Sequence, residues 1–436
     1  MRVAIVGSGI AGLACARALA GRADVTVLEA ADRLGGHVYT HAGVDLGFIV
    51  FSRPSYPGFS AMLDELGVAS RATTMSFSVS VPDHDGRGGS DGDGALAWSS
   101  ASPRGWFAQP RNLVRASHWR FLGAVVRLLG HGRADLGSEL VRRATLDEYL
   151  AARRVPAEVR ERFVVPLAAA LWSLAPARCG AFPAETWLRF LDQHGMLRAT
   201  RPHPWRTVVG GSATYVEALV RTLGERVRIE TASPVTAVHR RRDGVGGGRG
   251  GITLVVNGRE RAFDRVVLAT HADTALALLA APTASERAVL GAFTYSHNPT
   301  VLHGDASFLP AERAAWASWN YVADPDDGRV AVTYWMNRLQ GLPDEPLRLV
   351  TLNPRREPAG VLARTDFMHP QLDFAALDAQ RALPRVQGAG GVFFAGAYAG
   401  FGFHEDGFRA GVRAAARVLA SASEIVDPRA QWSATP

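Results

Sequence analysis

A glycine pattern near the start of the chain constrains its fold more than any other feature. Gly7, Gly9 and Gly12 follow an apolar, strand-like run and precede a helix-compatible stretch, after which a second apolar run ends at Glu29. In such a pattern the first glycine permits a tight turn, the second lets the backbone approach a pyrophosphate, and the third lets the helix pack closely on the strand. This succession of strand, turn, helix and strand predicts a dinucleotide-binding unit rather than a glycine-rich structural turn.

Two further features of this unit suit a dinucleotide. The amides of Ile10 and Ala11, at the start of the predicted helix, are expected to face the phosphate charge. Glu29 lies 17 residues after Gly12, where a carboxylate can accept hydrogen bonds from the ribose hydroxyls of an adenosine. The pattern by itself allows NAD, NADP or FAD as the ligand.

The size and composition of the chain indicate a soluble protein with more than one domain. Its 436 residues exceed what one hydrophobic core ordinarily holds, and a content of 47% hydrophobic and 20% charged residues is typical of globular proteins. The longest apolar run, near Val164–Leu174, is shorter than the roughly 20 residues that span a bilayer. Two cysteines are too few for a disulfide framework or a cysteine-rich metal site. We therefore expect a cytoplasmic location, and we find no pattern that indicates an oligomeric state.

All of the strongly basic residues are arginines, because the sequence contains no lysine. The net charge is +7, but the arginines are scattered and 41 acidic residues nearly balance them, so we expect no nucleic-acid partner. The region 106–127 is an exception, in which basic and aromatic residues occur together: Arg111, Arg115, Arg120 and Arg127 with Trp106, Phe107, Trp119 and Phe121. We interpret it either as a solvated helix face or as a peripheral contact with a membrane surface or acidic lipid headgroups.

The strand and helix pattern of the first 60 residues returns twice, which predicts a discontinuous nucleotide-binding domain. Gly210 and Gly211 precede a helical stretch, and an apolar strand-like run ends at Gly396 before a final helix. We expect an α/β protein with a Rossmann-like domain at 1–60, 205–275 and 385–436, and an inserted α+β substrate-binding domain at 61–204 and 276–384. The glycine-rich stretches at 83–94 and 244–251 are predicted to form loops or turns.

Five further segments carry a family resemblance: Arg33–His37, Asp45–Phe51, Arg206–Ser212, Met336–Gly341 and Gly402–Gly407. Together with the glycine pattern, they resemble the superfamily of flavin-containing amine oxidases and phytoene desaturases. Within it, the chain is most similar to a bacterial subgroup described as predicted NAD/FAD-binding, amine-oxidase-like proteins. The resemblance covers nearly the whole chain and implies a glutathione-reductase-like FAD-binding domain of the amine-oxidase type.

The resemblance implies that FAD is the cofactor and assigns residues to its parts. The pyrophosphate and adenosine ribose would be held by Gly7, Gly9, Ile10, Ala11, Gly12, Glu29 and Ala30. The diphosphate and ribityl chain would lie along Arg33, Gly35, Gly36 and His37. The isoalloxazine would pass near the backbone of Leu46, Gly47, Phe48 and Ile49.

The remaining implied contacts are with the two ends of FAD. The backbone of Val235 would pair with the adenine. The ribityl chain and the pyrimidine end of the flavin would be approached by Gly396, Ala397, Asp406, Gly407 and Phe408. A helix that begins there would favour the negative charge that develops on the flavin during reduction.

The chain departs from the superfamily pattern in ways that bear on its chemistry. Many members have arginine where His37 stands, so one fixed cation on FAD is absent here, and many have an acidic residue where Ala397 stands. Amine oxidases of the superfamily often place a lysine, through water, near flavin N5, and this chain has no lysine. The departure disfavours an amine oxidase that is reoxidised efficiently by oxygen.

The expected reaction is hydride transfer from a hydrophobic, lipid-like or polyketide-like substrate to flavin N5, which gives desaturation or double-bond isomerisation. The superfamily includes carotenoid desaturases and a fatty-acid double-bond isomerase, and aromatic residues are dense near Trp316–Met336. Those aromatic residues could instead belong to the core, or could form a cage for an amine. The alternatives are therefore a flavin amine oxidase and a non-catalytic flavoprotein or peripheral-membrane partner.

Two residues are candidates for the catalytic chemistry. His404 lies in a glycine-flanked turn beside the expected flavin and could transfer a proton near neutral pH, or could fix the turn instead. Tyr334 could orient the substrate. His297, His303 and Asp305 lack a third convergent ligand, so we expect structural roles for them and no metal site.

Overall fold

The computed structural model describes residues 1–81, 96–197, 203–240, 251–323 and 331–426. The loop predicted at 83–94 and nearly all of the turn predicted at 244–251 lie outside these residues. Within the described part of the chain, no helix is both long enough and apolar enough to cross a bilayer.

The strands, in chain order, are β1 (Arg2–Val6), β2 (Asp24–Leu28), β3 (Thr40–His41), β4 (Val44–Asp45), β5 (Val50–Ser52), β6 (Ser70–Thr73), β7 (Phe77–Val81), β8 (Leu96–Ser99), β9 (Trp205–Val208), β10 (Val227–Glu230), β11 (Val235–Arg240), β12 (Ile252–Val256), β13 (Arg259–Phe263), β14 (Arg265–Leu268), β15 (Thr294–His303), β16 (Trp319–Val322), β17 (Val332–Trp335), β18 (Leu349–Leu352), β19 (Ala363–Gln371) and β20 (Val392–Phe394).

The α-helices are α1 (Ile10–Leu19), α2 (Pro57–Glu65), α3 (Pro103–Trp106), α4 (Ala116–Asp135), α5 (Leu146–Ala152), α6 (Ala157–Val159), α7 (Val165–Trp172), α8 (Pro176–Cys179), α9 (Ala184–Gln193), α10 (Ala213–Leu223), α11 (Ala272–Leu278), α12 (Ala284–Leu290), α13 (Met336–Gln340), α14 (Phe374–Ala382) and α15 (His404–Val426). A π-helical turn at Arg160–Val164 leads into α7, and short 3₁₀ turns occur between several of the other elements.

A five-stranded parallel sheet confirms the predicted α/β class. Its strand order is β10-β2-β1-β14-β20, so the first strand of the chain lies at the centre. The central strands are apolar because both faces of the sheet are covered; Val3, Ala4 and Ile5 of β1 have no exposed surface. Ligands of such sheets bind beyond the carboxyl ends of the strands, which is where the glycine pattern and Glu29 begin.

A second sheet combines strands from two distant parts of the chain. Its seven strands run in the order β19-β15-β18-β17-β16-β7-β8, so residues 77–99 join strands from 294–371. The residues between these two parts of the sequence include helices α3 to α9. This strand membership supports the two-domain division proposed from the sequence, although we retain the individual boundaries as a proposal.

Helices α1 and α15 pack so closely that their backbones touch. A Cβ atom added at Gly411 of α15 would overlap the carbonyl oxygen of Ala11 and lie 3.1 Å from the backbone nitrogen of Cys15. A Cβ added at Gly407, one turn earlier, would lie 2.8 Å from a side-chain carbon of Ile10. The glycines of α15 therefore allow the C-terminal helix to lie directly on the helix that follows the glycine pattern.

We expect Gly411→Ala to lower the midpoint of thermal unfolding, although alanine favours a helix by about 1 kcal/mol relative to glycine. The added methyl group meets backbone atoms that cannot rotate away, and such overpacking typically costs about 1–3 kcal/mol. Gly130→Ala in α4 is the matched control, because a Cβ there meets no atom within 4 Å. A rise in the midpoint for both variants would contradict the packing argument.

Candidate active site

A cavity of about 500 Å³ lies at the carboxyl ends of the parallel strands. Four of these strands lead directly into its lining: Gly7 follows β1, Glu29 follows β2, Ala269 follows β14 and Gly396 lies two residues after β20. The opposite wall comes from α7, α9 and the second sheet. Both sheets therefore contribute side chains to one site.

The glycine-rich end of the cavity is built from two backbone segments that cross. Gly7 has a φ of +101°, which a non-glycine side chain rarely adopts, so the turn after β1 depends on it. Gly35 pairs with Gly9, and its amide donates to the carbonyl of Ser8 at 3.2 Å. A Cβ at Gly36 would lie 3.1 Å from the Cα of Gly9. The two glycine segments therefore approach each other at backbone distance and leave a surface without side chains.

Gly9 shows that this surface is open toward the cavity. It lines the cavity, and a Cβ added there would meet no atom within 4 Å. A side chain at this position would thus fill space that a ligand can occupy. Gly9 is also the N-cap of α1, whose first amides carry the positive end of the helix dipole. Open space beside unpaired helix amides suits a phosphate group.

The carboxylate of Glu29 is held at the wall of the cavity by three donors. The backbone amide and the hydroxyl of Ser8 donate to Oε2 at 2.8 and 2.6 Å, and the amide of Ala31 donates to Oε1 at 3.0 Å. Because Ser8 lies between the first two glycines of the pattern, these bonds tie the end of β2 to the turn after β1. The position of the carboxylate is fixed before any ligand binds.

Most of the predicted cofactor residues line the cavity. The structure brings together Gly7, Gly9, Ile10, Ala11, Glu29, Gly35, Gly36, His37, Leu46, Gly47, Phe48, Ile49, Gly396, Ala397 and Gly407. The cavity lining does not include Gly12, Ala30, Arg33, Val235, Asp406 and Phe408.

Arg33 supports the turn that follows it instead of facing the cavity. Its Nη1 donates to the carbonyls of Gly36 and Val38, both at 3.0 Å, and its guanidinium lies over the ring of Tyr39. The expectation that Arg33 lies along the diphosphate is therefore not met by its position in this structure. The physical reason is that two backbone carbonyls of the tight turn need a donor, and Arg33 supplies it.

Asp406 and Phe408 stabilise α15 rather than lining the cavity. Asp406 accepts a hydrogen bond from the amide of Phe403 at 3.0 Å, which caps the start of the helix. Burial raises the pKa of this carboxyl to about 6. Phe408 is buried in the core against the backbone of Gly58.

The other three residues outside the cavity have plain structural positions. A Cβ at Gly12 would overlap the carbonyl oxygen of Gly7, so this glycine allows the close helix packing expected of it. Val235 begins β11 and pairs with Val256, and Ala30 is exposed. The roles proposed for these residues toward the adenine and ribose stay predictions.

His404 is held by aromatic neighbours at the start of α15. Its ring stacks on Phe48 with centroids 3.8 Å apart and meets Phe59 edge to face, and its Nε2 forms a 2.8 Å hydrogen bond with the hydroxyl of Tyr215. Burial, with a smaller contribution from His37, lowers the pKa of His404 to about 3. A neutral, hydrogen-bonded imidazole favours the alternative in which His404 fixes this segment at the cavity wall.

Tyr334 lies at the opposite wall, near the end of β17. Its ring meets Trp319 edge to face at 5.1 Å, and burial raises the pKa of its hydroxyl. Within the described part of the chain, the hydroxyl has no protein hydrogen-bond partner. It is therefore a neutral donor available to a molecule in the cavity.

A serine–histidine pair in the cavity wall was not singled out from the sequence. Ser173 Oγ lies 2.8 Å from Nδ1 of His369, and both residues line the cavity. Ser173 has a left-handed conformation with φ +52°, a strained state for a residue other than glycine and one that occurs most often at functional sites. The one available signal was that Ser173 interrupts the apolar run Val164–Leu174.

The histidines of the cavity are neutral at physiological pH. Burial is the largest cause in each case, and it lowers the pKa of His37 to about 3 and those of His194 and His369 to about 4. The pKa of His271 is also lowered. The rings of His271 and His369 lie 5.7 and 5.9 Å from that of His37, so protonation of one disfavours protonation of the others.

The three residues considered as metal ligands have ordinary protein partners. His297 is exposed and pairs with Asp366 at 3.0 Å. His303 is buried and bonds through Nε2 to the hydroxyl of Thr351 at 2.7 Å. Asp305 accepts hydrogen bonds from the amides of Ser307 and Ala359. These contacts give each side chain a structural role in its own loop or strand.

The sequence profile of a family described as flavin containing amine oxidoreductase matches residues 10–347. The chain belongs to this family. It is a flavoprotein oxidoreductase, and its cofactor is FAD.

Solved structures share the fold over nearly their full length. Cyclohexylamine oxidase from Brevibacterium oxydans IH-35A aligns with a TM-score of 0.67 at 18% identity, over 97% of this chain and 99% of that one. A putative protoporphyrinogen oxidase from Exiguobacterium sp. 255-15 gives 0.66 at 19%, over 96% and 99%. A CLA-producing fatty acid isomerase from P. acnes gives 0.65 at 17%, over 95% and 98%. At these identities the likeness establishes the architecture of the flavoprotein alone.

The residues of the cavity fit FAD at its diphosphate end. The flavoprotein presents a wall of glycine backbone, an open position at Gly9, the N-terminus of α1 and the fixed carboxylate of Glu29. At the other end, α15 begins at His404 beside Gly396 and Ala397. Two helix N-termini thus face one cavity, and both favour bound negative charge.

We expect Gly9→Leu to remove FAD without unfolding the flavoprotein. The added side chain meets no protein atom at its Cβ, but it occupies the space beside the first turn of α1. The flavin absorbance per polypeptide should fall at least about ten-fold, because a diphosphate and a leucine cannot share that space. Gly130→Leu, which also adds its side chain to open space, is the control. Full flavin content in Gly9→Leu would contradict this placement.

The buried histidines of the flavoprotein also make its stability depend on pH. Their pKa values in the folded state lie below the unfolded value of about 6.5, so the unfolded chain binds more protons below that pH. Stability is fully present above about pH 6.5 and is lost as the pH falls toward 4. We expect the midpoint of thermal unfolding to decrease over this range, and to decrease less in His404→Gln.

The exposed residue His297 supplies the control for this measurement. His297→Gln should follow the wild-type pH dependence, because His297 is not buried. If His404→Gln and the wild type lost stability in parallel between pH 6.5 and 4, His404 would not be the suppressed titrating group described here.

Proposed function

We propose that this flavoprotein dehydrogenates a neutral, hydrophobic molecule of the lipid or polyketide type, or moves a double bond within it. One observation carries the proposal. Among the described residues that line the cavity, Glu29 is the only Asp, Glu, Arg or Lys. Glu29 lies at the glycine-rich end, away from the wall formed by the second sheet, so the substrate side of the cavity offers no charged partner.

The wall on the substrate side consists largely of apolar and aromatic side chains: Met75, Leu171, Trp172, Phe190, Met196, Trp205, Trp319, Leu352, Phe367, Phe401 and Phe403. A buried ammonium or carboxylate without a partner of opposite charge is costly, so this wall selects against charged groups. A hydrocarbon chain incurs no such cost and gains about 25 cal/mol for each square ångström that it buries.

Bound FAD supplies a hydride acceptor at flavin N5. Dehydrogenation of neighbouring carbons also releases a proton, for which the chain must supply an acceptor. His369 is suited to this task, because it is neutral, lines the cavity and is oriented by the hydroxyl of Ser173. Tyr334 offers a hydroxyl donor from the opposite wall. The surrounding aromatic rings exclude water from the reacting carbons.

Oxidation of an amine is the second candidate, and the aromatic wall is the feature that favours it. The rings of Trp319 and Tyr334 meet edge to face, and ring faces can attract a cation. The amine would have to bind in its neutral form or rely on such rings, because the described lining has no carboxylate on this side. Solved amine oxidases and a fatty acid isomerase share the fold, so the lining and not the fold separates these candidates.

An anaerobic substrate screen tests the proposal with the FAD-loaded protein. We expect fatty acyl chains or other neutral lipids to bleach the flavin absorbance, or to return with a shifted double bond in product analysis, while primary amines do neither. Bleaching by amines alone would replace the proposal with the amine oxidase candidate. If neither class changed the flavin spectrum or the added compound, a structural role for FAD would be favoured.

Variants of the wall histidines sharpen the same test. His369→Gln should lower kcat by about 10²-fold or more with FAD retained, because glutamine can still bond to Ser173 but cannot accept a proton at neutral pH. His297→Gln, an exposed histidine, is the control and should keep wild-type kcat. A wild-type kcat in His369→Gln would remove this residue from proton transfer.

A further inference from the structure

One surface of the substrate side is strongly basic. Residues 96–134 contain six arginines and no Asp or Glu, although the whole chain has 41 acidic residues. The arginines are Arg104, Arg111, Arg115, Arg120, Arg127 and Arg133. We call the exposed part of α3, the 3₁₀ turn at Pro110–Leu113 and α4 the basic apolar surface.

The same surface exposes large apolar side chains. Leu113, Val114, Trp119 and Val126 are 55%, 88%, 54% and 61% exposed, and they are four of the eight exposed large hydrophobic residues in the described part of the chain. The ring nitrogen of Trp119 donates to the carbonyl of Leu113 at 3.0 Å, which fixes the indole beside the 3₁₀ turn. Exposed hydrophobic residues are ordinary when scattered, but a cluster indicates a contact surface.

The helical spacing of α4 separates its two faces. Phe121, Val125 and Leu128 are buried, whereas Trp119, Arg120, Val126, Arg127 and Arg133 are exposed. A helix of 20 residues is about 30 Å long, so its outer face is an extended strip of arginines and apolar groups. The sequence-based grouping needs one correction here: Trp106 stacks on the buried Trp98 and Phe121 is only 2% exposed, so neither belongs to the surface.

The arginines of this strip lack partners within the protein. Arg104, Arg120, Arg127 and Arg133 are exposed, and none forms an ion pair with a carboxylate of the described residues. Elsewhere, comparable arginines do pair, as Arg53 does with Asp64 at 2.7 Å and Arg261 with Glu230 at 2.6 Å. The strip therefore presents uncompensated positive charge around apolar side chains, which matches the phosphate and acyl layers at the edge of an anionic bilayer.

The basic apolar surface lies one helix away from the cavity. Helix α4 packs on α9 at Gly132, where a Cβ would be 2.6 Å from a side-chain carbon of Leu188. Helix α9 also carries Phe190 and His194, which line the cavity. A membrane that touches α4 would thus lie near the substrate wall.

We propose that the basic apolar surface docks the protein on an anionic lipid bilayer and places the cavity close to hydrophobic molecules dissolved there. The docking stands on the surface itself, whereas the delivery of substrate rests on the proposed function. The two parts can fail separately, because vesicle binding is measured without any substrate.

Co-sedimentation of the FAD-loaded protein with vesicles tests the docking. The bound fraction should be several-fold higher on vesicles of phosphatidylcholine with phosphatidylglycerol than on phosphatidylcholine alone, and should fall as salt is raised. Arg120→Glu with Arg127→Glu should weaken partitioning by about five-fold or more for each arginine. Trp119→Ser with Val126→Ser should weaken it on the same vesicles, because the apolar contact is lost.

Two matched variants control for general effects of charge and hydrophobicity. Arg22→Glu with Arg259→Glu reverses two exposed arginines outside this surface, and Leu362→Asp replaces an exposed leucine of the 353–362 loop. Both should bind vesicles like the wild type. Equal binding by the α4 variants and the wild type, or no binding to anionic vesicles, would overturn the proposal. A change from oligomer to monomer in the α4 variants, seen by light scattering, would assign the surface to a second copy of the chain instead.

Discussion

The contact between the backbones of α1 and α15 is the interaction on which the site depends. Gly407 and Gly411 let the last helix lie on Ile10, Ala11 and Cys15 without intervening side chains. Because both helices begin at the cavity, this contact brings two positive helix ends from opposite ends of the chain to one ligand. The parallel sheet supplies the floor beneath them. The distance between the two helix starts, and thus the fit to a long dinucleotide, follows from how closely the helices pack.

The second physical constraint is the low polarity of the substrate wall. The same burial that lowers the pKa values of His37, His194 and His369 also makes any charge costly there. The wall is polar enough to orient a molecule, through imidazole and hydroxyl groups, but carries no net charge. This combination suits proton movement between neutral groups and the retention of greasy molecules, and it follows from one cause, the exclusion of water.

Local sequence patterns predicted the parts of the site that depend on local backbone. The positive φ of Gly7, the packing of Gly12 and the position of Glu29 after β2 each follow from spacing within 29 residues, and the observed geometry agrees with these expectations. Contacts over long separations were not predictable in this way. Ser173 and His369 meet across 196 positions, and Arg33 turns to nearby carbonyls whose need for a donor appears only once the turn is folded. The fold class was confirmed, because the strand and helix order determines it.

The packing of α15 on α1 also bears on how the protein is made. Helix α1 is apolar on every side, with Leu13, Ala14 and Cys15 almost fully buried, and part of its cover is synthesised about 400 residues later. The strand that completes the sheet, β20, also comes late. A nascent chain that stops before these elements has a glycine turn but no finished pocket. Incorporation of FAD is therefore a post-translational event, and until the last helix emerges from the ribosome the first helix is a binding surface for chaperones.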